Sequence, residues 1–342
     1  MRAILFIPVM TALLFPCRRA FAASAGNSAG QILKLGGGAR HAAVGDAGTA
    51  FSGDSSVIFW NPAGLGFAGR CSVTTSRSFL FQSVNYSAVS AACPAGRFGS
   101  FAAGWQLLDY GKIPSLDNTG AVDGSFSPSD TVFSGSWGGE IARNISFGVT
   151  TKRLFVKIDN RGAAYAADAG VLARFSVISV GAAVRNAARK IKINETAESL
   201  PRILKIGAAA DLNDFSLIMD AGSSKDASWL SGGVEYSFLQ DGADSPVRLR
   251  AGYSTRMKTG GYNITAGLGI RDRSWAMDYA LVPYGDLGLT HQFSLAFAFG
   301  RSVRAEERGT PKKTGPFRNK PGAQSDEFIL LPGDSLPKAL KP

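Results

Sequence analysis

The sequence predicts an all-β protein, a fourteen-stranded antiparallel transmembrane β-barrel with an N-terminal hatch segment inside its lumen. Three observations lead to this fold class. From about residue 71 to residue 300, the chain breaks into short runs in which apolar and polar residues alternate. After residue 25, no apolar stretch reaches the roughly 20 residues that a membrane-spanning helix needs. The connections between the runs are short on one side and long on the other, as expected for a membrane barrel.

Residues 1–25, MRAILFIPVMTALLFPCRRAFAASA, are predicted to be a secretory signal peptide. Arg2 gives a basic start, an apolar run ends at Phe15, and small residues before Ala25 suit cleavage. The exported remainder contributes to a chain that is 45% hydrophobic and only 18% charged. An exported protein without an apolar helix must cover its hydrophobic residues in another way, and alternation along strands provides one.

Fourteen runs have about the length of a tilted membrane strand, which is roughly 9 to 11 residues. They cover residues 71–79, 84–93, 98–110, 130–141, 144–157, 164–175, 177–188, 201–212, 214–223, 228–239, 247–255, 262–271, 274–283 and 289–300. Residues 70–300 are therefore assigned to the transmembrane barrel.

The last run, LTHQFSLAFAFG, shows the alternation most clearly. Leu289, Phe293 and Phe297 fall on one face, and Thr290 and Ser294 fall on the other. We expect the apolar face to contact lipid and the other face to line the lumen. Basic residues on the polar face predict a wet or salt-bridged lumen, because each would cost about 2–4 kcal/mol on the lipid face. These basic residues include Lys152, Arg248, Arg250 and Arg271.

The lengths of the connections predict how the barrel is oriented. The links after even-numbered runs are tight, for example PAGR, ARN, ND and RDRS. The links after odd-numbered runs include the long segments GKIPSLDNTGAVDGSFSPS and RKIKINETAESL. This pattern predicts a bacterial cell outer membrane location with the short links and both termini in the periplasm. A soluble β-sandwich would also have many short strands, but it would not predict one-sided loop lengths.

Residues 26–69 do not alternate and are predicted to form the hatch, or plug, inside the barrel. Asp54 is placed to cap a helical turn that starts at Ser55. Pro62 disfavours helix at Asn61, so the chain must turn before the first strand. We interpret VIFW as a short helix on the inner wall and NPAG as the turn that leads to the wall. The alternative is an apolar helix under the periplasmic rim. The candidate residues of this hatch motif are Trp60, Asn61, Pro62, Ala63 and Gly64.

Cys71 and Cys93 are the two cysteines that follow the signal peptide. The first two strands should join near Gln82, and each cysteine is eleven residues from it. A symmetric hairpin then places the cysteines opposite each other, with Cβ atoms about 4.5–5.5 Å apart and close to disulfide reach. The periplasm is oxidising, so a disulfide is predicted. A register slip of one residue would instead turn the two thiols to opposite faces.

Residues 301–342 are predicted to be a disordered basic periplasmic tail. The segment is rich in Pro, Lys and Arg, has no period, and carries nine basic against five acidic residues. Its apolar stretch EFILLPG favours a docking role, for which an anionic cell-wall polymer or an acidic partner would suit the charge. An unbound solubilising tail is the alternative.

Two long motifs resemble the PorV/PorQ family of outer-membrane proteins, which is related in architecture to FadL-type fatty-acid transporters. They are LKLGGGARHAAVGDAGTAFSGDSSVIFWNPAGL near the start and YALVPYGDLGLTHQFSLAFAFG at the end of the barrel. The resemblance covers residues 32–300 and implies fourteen strands with a hatch in the lumen. Asn61, Pro62 and Ala63 match the family's Asn-Pro-Ala element, and the basic tail departs from the family pattern. The closing-strand motif is matched by Gly285, Asp286, Leu287, Gly288, Thr290 and His291.

The resemblance implies a structural or adaptor component in protein export or cell-surface assembly, similar to type IX secretion. Its partners would be outer-membrane lipid and exported or surface proteins. The alternative is a FadL-like transporter of hydrophobic small molecules, with such a molecule in the lumen. A transporter needs an apolar pocket against a movable hatch, whereas an adaptor needs only a rigid wall and a binding surface. The fold by itself does not decide between them.

The sequence predicts no enzyme, no cofactor and no metal site. A catalytic triad needs a nucleophile with a histidine base, and neither His41 nor His291 lies beside an obvious nucleophile in sequence. In GGGARH, His41 occupies the place of the third glycine of a phosphate-binding G-x-G-x-x-G motif. No Cys or His pair has the spacing of metal ligands. Part of the net charge of +11 lies in the tail, and the export signal also argues against nucleic-acid binding.

Overall fold

A computed structural model of the protein describes most of the predicted barrel and hatch. The predicted signal peptide and basic tail lie outside the described residues. In the part of the chain that is described, no helix has the length and apolar character needed to cross a bilayer. The described residues are 30–157, 161–188, 191–193, 196–225, 227–238, 247–256 and 263–300.

Fourteen antiparallel strands form one closed barrel, because the first strand of the chain pairs with the last. The predicted all-β class and strand number are confirmed, and every predicted run matches one strand to within a few residues. The barrel strands are β1 (Cys71–Phe79), β2 (Asn85–Pro94), β3 (Ser100–Asp109), β6 (Ser129–Ala142), β7 (Ile145–Lys157), β8 (Arg161–Arg174), β9 (Ile178–Ala188), β12 (Ile203–Leu212), β13 (Phe215–Ser224), β14 (Ser228–Phe238), β15 (Val247–Ser254), β16 (Ile264–Arg271), β17 (Trp275–Pro283) and β18 (Leu289–Phe299).

Side chains alternate between the inside and the outside of the barrel as the sequence predicts. On β18, Phe293 and Phe297 point outward and are 47% and 50% exposed, whereas Thr290 points inward and is fully buried. Lys152 on β7 and Arg250 on β15 are buried on the inner face. The barrel thus presents mainly apolar side chains outward and buries Lys152 and Arg250 inside, which is the arrangement that a lipid environment favours. Arg77 and Arg153 are exceptions, because both face outward and lie over outward aromatic rings.

The two ends of the barrel differ in the length of their connections. At one end, called the short-turn end below, residues 143–144 and 213–214 join successive strands. At the other, called the long-loop end, residues 110–128 and 189–202 do so. Residues 239–246 connect β14 to β15 and therefore also belong to the short-turn end. This connection is an exception to the prediction that all links at this end are short.

Two of the long connections contain β-hairpins, whereas the sequence predicts loops there. Each hairpin is a separate two-stranded sheet beside the barrel. The expectation failed for the first because Asp117 builds a tight turn that alternation does not reveal. Its carboxylate accepts hydrogen bonds from the N–H groups of Thr119 and Ala121 at 2.8 and 2.9 Å. The four short strands are β4 (Ile113–Leu116), β5 (Val122–Phe126), β10 (Ile191–Ile193) and β11 (Thr196–Glu198).

Residues 30–69, called the lumen segment below, contain only short helical turns. The predicted cap is present, because the Asp54 carboxylate accepts a hydrogen bond from Ser56 N at 2.9 Å. Asn61 is extended and precedes the next turn, as Pro62 requires. The turns are 3₁₀ at Gln31–Lys34, Ser55–Phe59 and Pro62–Phe67, and α-helical at α1 (Ala39–Ala43).

The lumen segment lies inside the barrel. Most of its residues are buried, although none of them belongs to the sheet. Ser55 Oγ donates to Thr74 Oγ1 on β1 at 3.0 Å, and Gly48 N donates to Asp220 Oδ2 on β13 at 2.9 Å. β1 and β13 are almost opposite each other in the ring of strands. A segment that contacts inward-facing groups on both sides can only lie within the closed sheet.

The register of the first hairpin brings Cys71 and Cys93 together. β1 and β2 pair Ser72 with Ala92, so the two cysteines are the next opposite residues at the short-turn end. A disulfide joins them, with Cα atoms 4.1 Å apart. The bond fastens the first residue of the barrel to the second strand.

Loss of this disulfide is expected to destabilise the first hairpin. Closing a loop of 22 residues in sequence contributes about 3 kcal/mol in the chain-entropy model. We expect Cys71→Ala, Cys93→Ala and the double variant to lower the midpoint of heat unfolding equally, because each removes the same bond. The measurement is the gel-mobility shift of the mature protein on heating. Two reactive thiols in the unfolded, unreduced protein, or a double variant that loses twice as much, would contradict the bond.

Candidate functional site in the lumen

Trp60 is buried between other residues of the lumen segment and the inner wall. Its indole Nε1 donates a hydrogen bond to Gly37 O at 2.9 Å, and the His41 ring stacks on it with centroids 4.8 Å apart. The Nζ of Lys205 on β12 lies 4.9 Å from the ring centroid, within cation–π range. A Cβ on Gly36 would lie 2.1 Å from Trp60 Cζ2. Gly36 is therefore required by close packing against the indole, and the next glycine, Gly37, by close packing against Phe59.

His41 is buried, and neither ring nitrogen has a hydrogen-bond partner among the described residues. Burial lowers the pKa of His41 to about 3, so its imidazole is neutral near neutral pH. The ring also packs edge-on against Phe51 at 5.0 Å between centroids. His41 thus contributes an aromatic surface to the packing around Trp60.

Asn61 connects the lumen segment to the wall between β8 and β9. Its Nδ2 donates to Thr49 O at 2.8 Å and to Val171 O at 3.1 Å. Its Oδ1 accepts from Ala63 N at 3.1 Å. A Cβ on Gly170 of β8 would lie only 2.0 Å from this Oδ1. Both the nitrogen and the oxygen of the Asn61 amide therefore form hydrogen bonds, and glycine at position 170 leaves space for this side chain at the wall.

The rest of the predicted hatch motif is packed as closely. A Cβ on Gly148 of β7 would lie 2.3 Å from the carbonyl carbon of Pro62. A Cβ on Gly64 would lie 2.7 Å from Phe51 O. The structure thus gathers the motif at one place on the inner wall. Sequence reasoning missed the glycines that receive it, although glycine at inward positions of adjacent strands was a readable signal.

A buried ion pair holds the loop that precedes the motif. Lys205 on β12 and Asp220 on β13 are 2.8 Å apart. Asp220 Oδ2 also accepts from Thr49 Oγ1 at 2.7 Å, and Lys205 Nζ donates to Asp46 O at 2.9 Å. A buried ion pair is more stable when its remaining hydrogen-bonding groups are satisfied. The lumen segment supplies hydrogen bonds to Asp220 Oδ2 and accepts one from Lys205, whereas Asp220 Oδ1 has no hydrogen-bond partner among the described residues.

A second ionic cluster surrounds Glu235 near the short-turn end. Its carboxylate accepts hydrogen bonds from Arg40 of the lumen segment at 3.0 and 3.1 Å. It also accepts from Arg248 at 2.8 Å and from Arg250 at 2.6 Å, and Arg250 pairs with Asp278 at 2.8 Å. The sequence predicts that Arg248 and Arg250 lie in a wet or salt-bridged lumen, and both are salt-bridged.

A β-bulge in the wall holds the first turn of the lumen segment. The register between β8 and β9 shifts near the middle of β8, and Asn186 there has a φ of 57°. Asn186 N donates to Asp168 Oδ1 at 2.7 Å, and its Nδ2 donates to Leu33 O at 2.9 Å. Arg185 Nη2 donates to Leu35 O at 3.2 Å. Sequence reasoning missed this bulge, because one extra residue leaves the alternation on either side readable.

Toward the long-loop end, the side of β2, β3, β6 and β7 buries the polar groups of Gln106 and Asp130, which are hydrogen-bonded to Tyr86 Oη at 2.6 Å and Tyr110 Oη at 3.0 Å. The neighbouring inward side chains are apolar. These inward side chains, called the apolar wall below, are at most 4% exposed. A water-filled pore would carry polar side chains on this face. The apolar wall consists of Tyr86, Leu108, Val132, Leu154 and Val156. The lumen segment contributes Ile32, Leu33, Ile58, Phe59 and Trp60 to the same cluster.

The first part of the closing-strand motif shapes the turn between β17 and β18. Gly285 and Gly288 have φ angles of 62° and 94°, which other residues rarely adopt. Asp286 between them is exposed. These three residues therefore fit a turn at the long-loop end.

The second part of the motif lies on β18 and points in two directions. Thr290 points inward and donates to Val282 O at 2.9 Å. His291 points outward, with Nδ1 2.8 Å from Tyr279 Oη. The two residues therefore serve different faces of the wall, with Thr290 in the lumen and His291 outside it.

The chain matches no protein-family model and no curated protein. Solved structures do share its fold. The P. putida toluene transporter TodX has a TM-score of 0.55 at 12% identity, covering 78% of this chain and 99% of that chain. The Ralstonia pickettii toluene transporter TbuX has a TM-score of 0.51 at 14% identity, covering 78% and 98%. A Pseudomonas aeruginosa FadL homologue has a TM-score of 0.50 at 13% identity, covering 76% and 97%.

At these identities the likeness shows the fold alone. The closed fourteen-stranded barrel matches FadL-like outer-membrane barrels, which supports the FadL-like part of the sequence resemblance. The three structures give no support to its PorV/PorQ part, which stays a prediction. They are described as transporters or as a FadL homologue, and none is described as an enzyme.

Gly170→Ala is expected to loosen the lumen segment, because the new Cβ would collide with Asn61 Oδ1. We expect a loss of about 1–3 kcal/mol in unfolding free energy, together with faster limited proteolysis within residues 30–69. Gly135→Ala is the matched control, since the nearest atom to its new Cβ is 3.8 Å away. Equal protease resistance of the two variants would show that Asn61 is not anchored at Gly170.

Proposed function

We propose that this protein is an outer-membrane barrel through which hydrophobic small molecules pass, with the lumen segment as its hatch. The apolar wall is the observation that carries this proposal. In the closed arrangement, apolar residues of the lumen segment cover it. Withdrawal of the segment would open an apolar pocket toward the long-loop end, where a hydrophobic molecule could bind.

The apolar wall suits a hydrophobic substrate better than a hydrophilic one. Exposing apolar surface to water costs about 25 cal/mol per Å². A pore for hydrophilic solutes would carry that cost whenever it was open, whereas a hydrophobic molecule offsets it by binding. The shared fold with two toluene transporters supports the same class of substrate.

The ion pairs of the barrel are compatible with a hatch that moves. Lys205 pairs with Asp220, and Lys152 pairs with Asp168 at 2.6 Å, so in each pair both partners belong to the wall. Glu235 keeps two wall arginines when Arg40 leaves. Withdrawal of the lumen segment therefore leaves these wall charges paired, which limits its free-energy cost.

A second candidate function is the adaptor role in protein export or surface assembly. The hairpin of β4 and β5 favours it, because this hairpin exposes large apolar side chains at the long-loop end. They are Ile113, Leu116, Val122 and Phe126. Co-purification of a secreted protein with the barrel would favour the adaptor role, and a bound fatty acid or detergent in the lumen would favour transport.

The proposed orientation follows from the loop lengths. In outer-membrane barrels the short turns face the periplasm and the longer loops face outward. We therefore place the short-turn end, the Cys71–Cys93 disulfide and the beginning of residues 301–342 on the periplasmic side. The hydrophobic molecule would enter from the long-loop end.

Deletion of residues 30–60 is expected to convert the closed barrel into an open pore. The strands pair with one another without this segment, so the barrel should still insert. Removal of the segment leaves the ionic side of the lumen exposed to water, and ions should then pass. Single-channel recording in planar bilayers compares the deletion variant with the full mature protein. Unchanged conductance would rule out the plug assignment.

Val132→Thr and Leu154→Asn are expected to slow uptake of labelled toluene about five- to thirtyfold in cells that produce the protein. Each places a polar group in the apolar wall, at a cost of about 1–2 kcal/mol for an apolar ligand. Val234→Thr is the matched control, because Val234 points outward and does not line the lumen. Wild-type uptake no faster than in cells without the protein, or equal uptake by Val132→Thr and Val234→Thr, would contradict the proposal.

A further inference from the structure

The outer wall carries a groove that lies on the opposite face of the sheet from the lumen. It crosses β8, β9, β12, β13 and β14 and has a volume of about 900 Å³, which is within the range of small-molecule sites. Residues that pair directly across these strands alternate between large and small side chains. The small residues form the low parts of the groove and the large residues form its walls. The row reads Val171, Ala182, Ile206, Ala221 and Leu230.

The clearest trough follows β13 toward the long-loop end. Its floor is Ala221 and Ser223, which face outward. Its ridges are Leu204 and Ile206 of β12 on one side and Leu230 of β14 on the other, all strongly exposed. Outward apolar side chains of a membrane barrel contact hydrocarbon. The trough is therefore open to the lipid along its length.

The trough ends in polar groups at the long-loop rim. Ser223 Oγ and Ser228 Oγ are 3.0 Å apart, and Thr255 Oγ1 accepts from Leu230 N at 2.9 Å. Lys225 is exposed in the turn between β13 and β14. Hydroxyl groups thus line the end of an apolar channel, and Lys225 follows two residues after Ser223 in the adjoining turn.

We propose that this groove binds one membrane lipid, with an acyl chain along β13 and an anionic phosphate headgroup near Ser228 and Lys225. The apolar floor and ridges match the chain, and the ammonium of Lys225 matches the charge of the phosphate. Toluene-like molecules have no group for the polar end. This site is distinct from the lumen and does not depend on transport.

The probe is phosphatidylglycerol added to delipidated protein, with binding measured by native mass spectrometry and phosphatidylcholine as the zwitterionic comparison. We expect one phosphatidylglycerol per wild-type barrel and weaker binding of phosphatidylcholine. Ala221→Phe fills the trough and should lower the affinity at least about tenfold. Ala251→Phe is the control, because Ala251 points outward on β15 and does not line the groove. Ser223→Leu provides a second filling variant if Ala221→Phe does not fold.

Lys225→Ala should remove the preference for the anionic lipid while leaving phosphatidylcholine binding unchanged. Equal affinity of the filling variants and Ala251→Phe would overturn the site. Equal wild-type binding of the two lipids would overturn the headgroup contact. Displacement of the lipid by toluene, or a dimer that forms through the groove and is lost in Ala221→Phe, would show a different occupant and would also overturn the proposal.

Discussion

The lumen of a fourteen-stranded barrel is wider than its own inward side chains can fill, and much of this structure follows from that constraint. The lumen segment fills the space, and the wall accommodates its backbone with glycine. A Cβ on Gly252 of β15 would lie 2.4 Å from Gly45 N, and one on Gly267 of β16 would lie 2.4 Å from Ala43 Cβ. Close backbone contact of this kind makes the segment part of the core.

The same constraint divides the lumen into two sides with different chemistry. On the side of β12 to β17, charges are buried, and each pair carries a desolvation cost that hydrogen bonds from the lumen segment help to offset. On the side of β2 to β7, apolar side chains pack on one another toward the long-loop end, and Lys152 of β7 pairs with Asp168 of β8. One short segment meets both requirements because it places Arg40, Gly48 and Thr49 toward the charges and Ile32, Ile58 and Phe59 toward the apolar wall.

Much of the fold was predictable, because alternation along a strand is a local property of the sequence. The strand positions and the pairing of Cys71 with Cys93 required only period two and a symmetric hairpin. The bulge at Asn186 was not predictable, because it depends on Asp168 and Leu33, which are distant in sequence. Nor was the apolar wall predicted, although inward positions of β7 change from Thr150 and Lys152 to Leu154 and Val156. The expectation of a wet or salt-bridged lumen drew attention to the charged positions and away from that signal.

The hatch motif was found at the right place in the chain, but its partners were not. Asp54 and Pro62 act locally, so their roles follow from rules for caps and proline. Asn61 contacts Val171 and packs against Gly170, more than 100 residues away. A single sequence reveals such a contact only when each partner has a local feature that indicates it. A glycine at an inward strand position is only a weak indication of a close contact.

The disulfide gives the two ends of the lumen segment unequal mechanical strength. At its C-terminal end the segment continues covalently into β1, which the Cys71–Cys93 bond staples to β2. At its N-terminal end the wall contacts include hydrogen bonds from Arg185 and Asn186 to the carbonyls of Leu33 and Leu35 and the packing of Ile32 and Leu33 against the apolar wall, with no covalent bond to the wall. A force applied to the chain before Gly30 would load these bonds one after another, as in peeling, and would reach the stapled hairpin last. The segment would thus leave the wall from its N-terminal end first and would remain tethered to the barrel through β1.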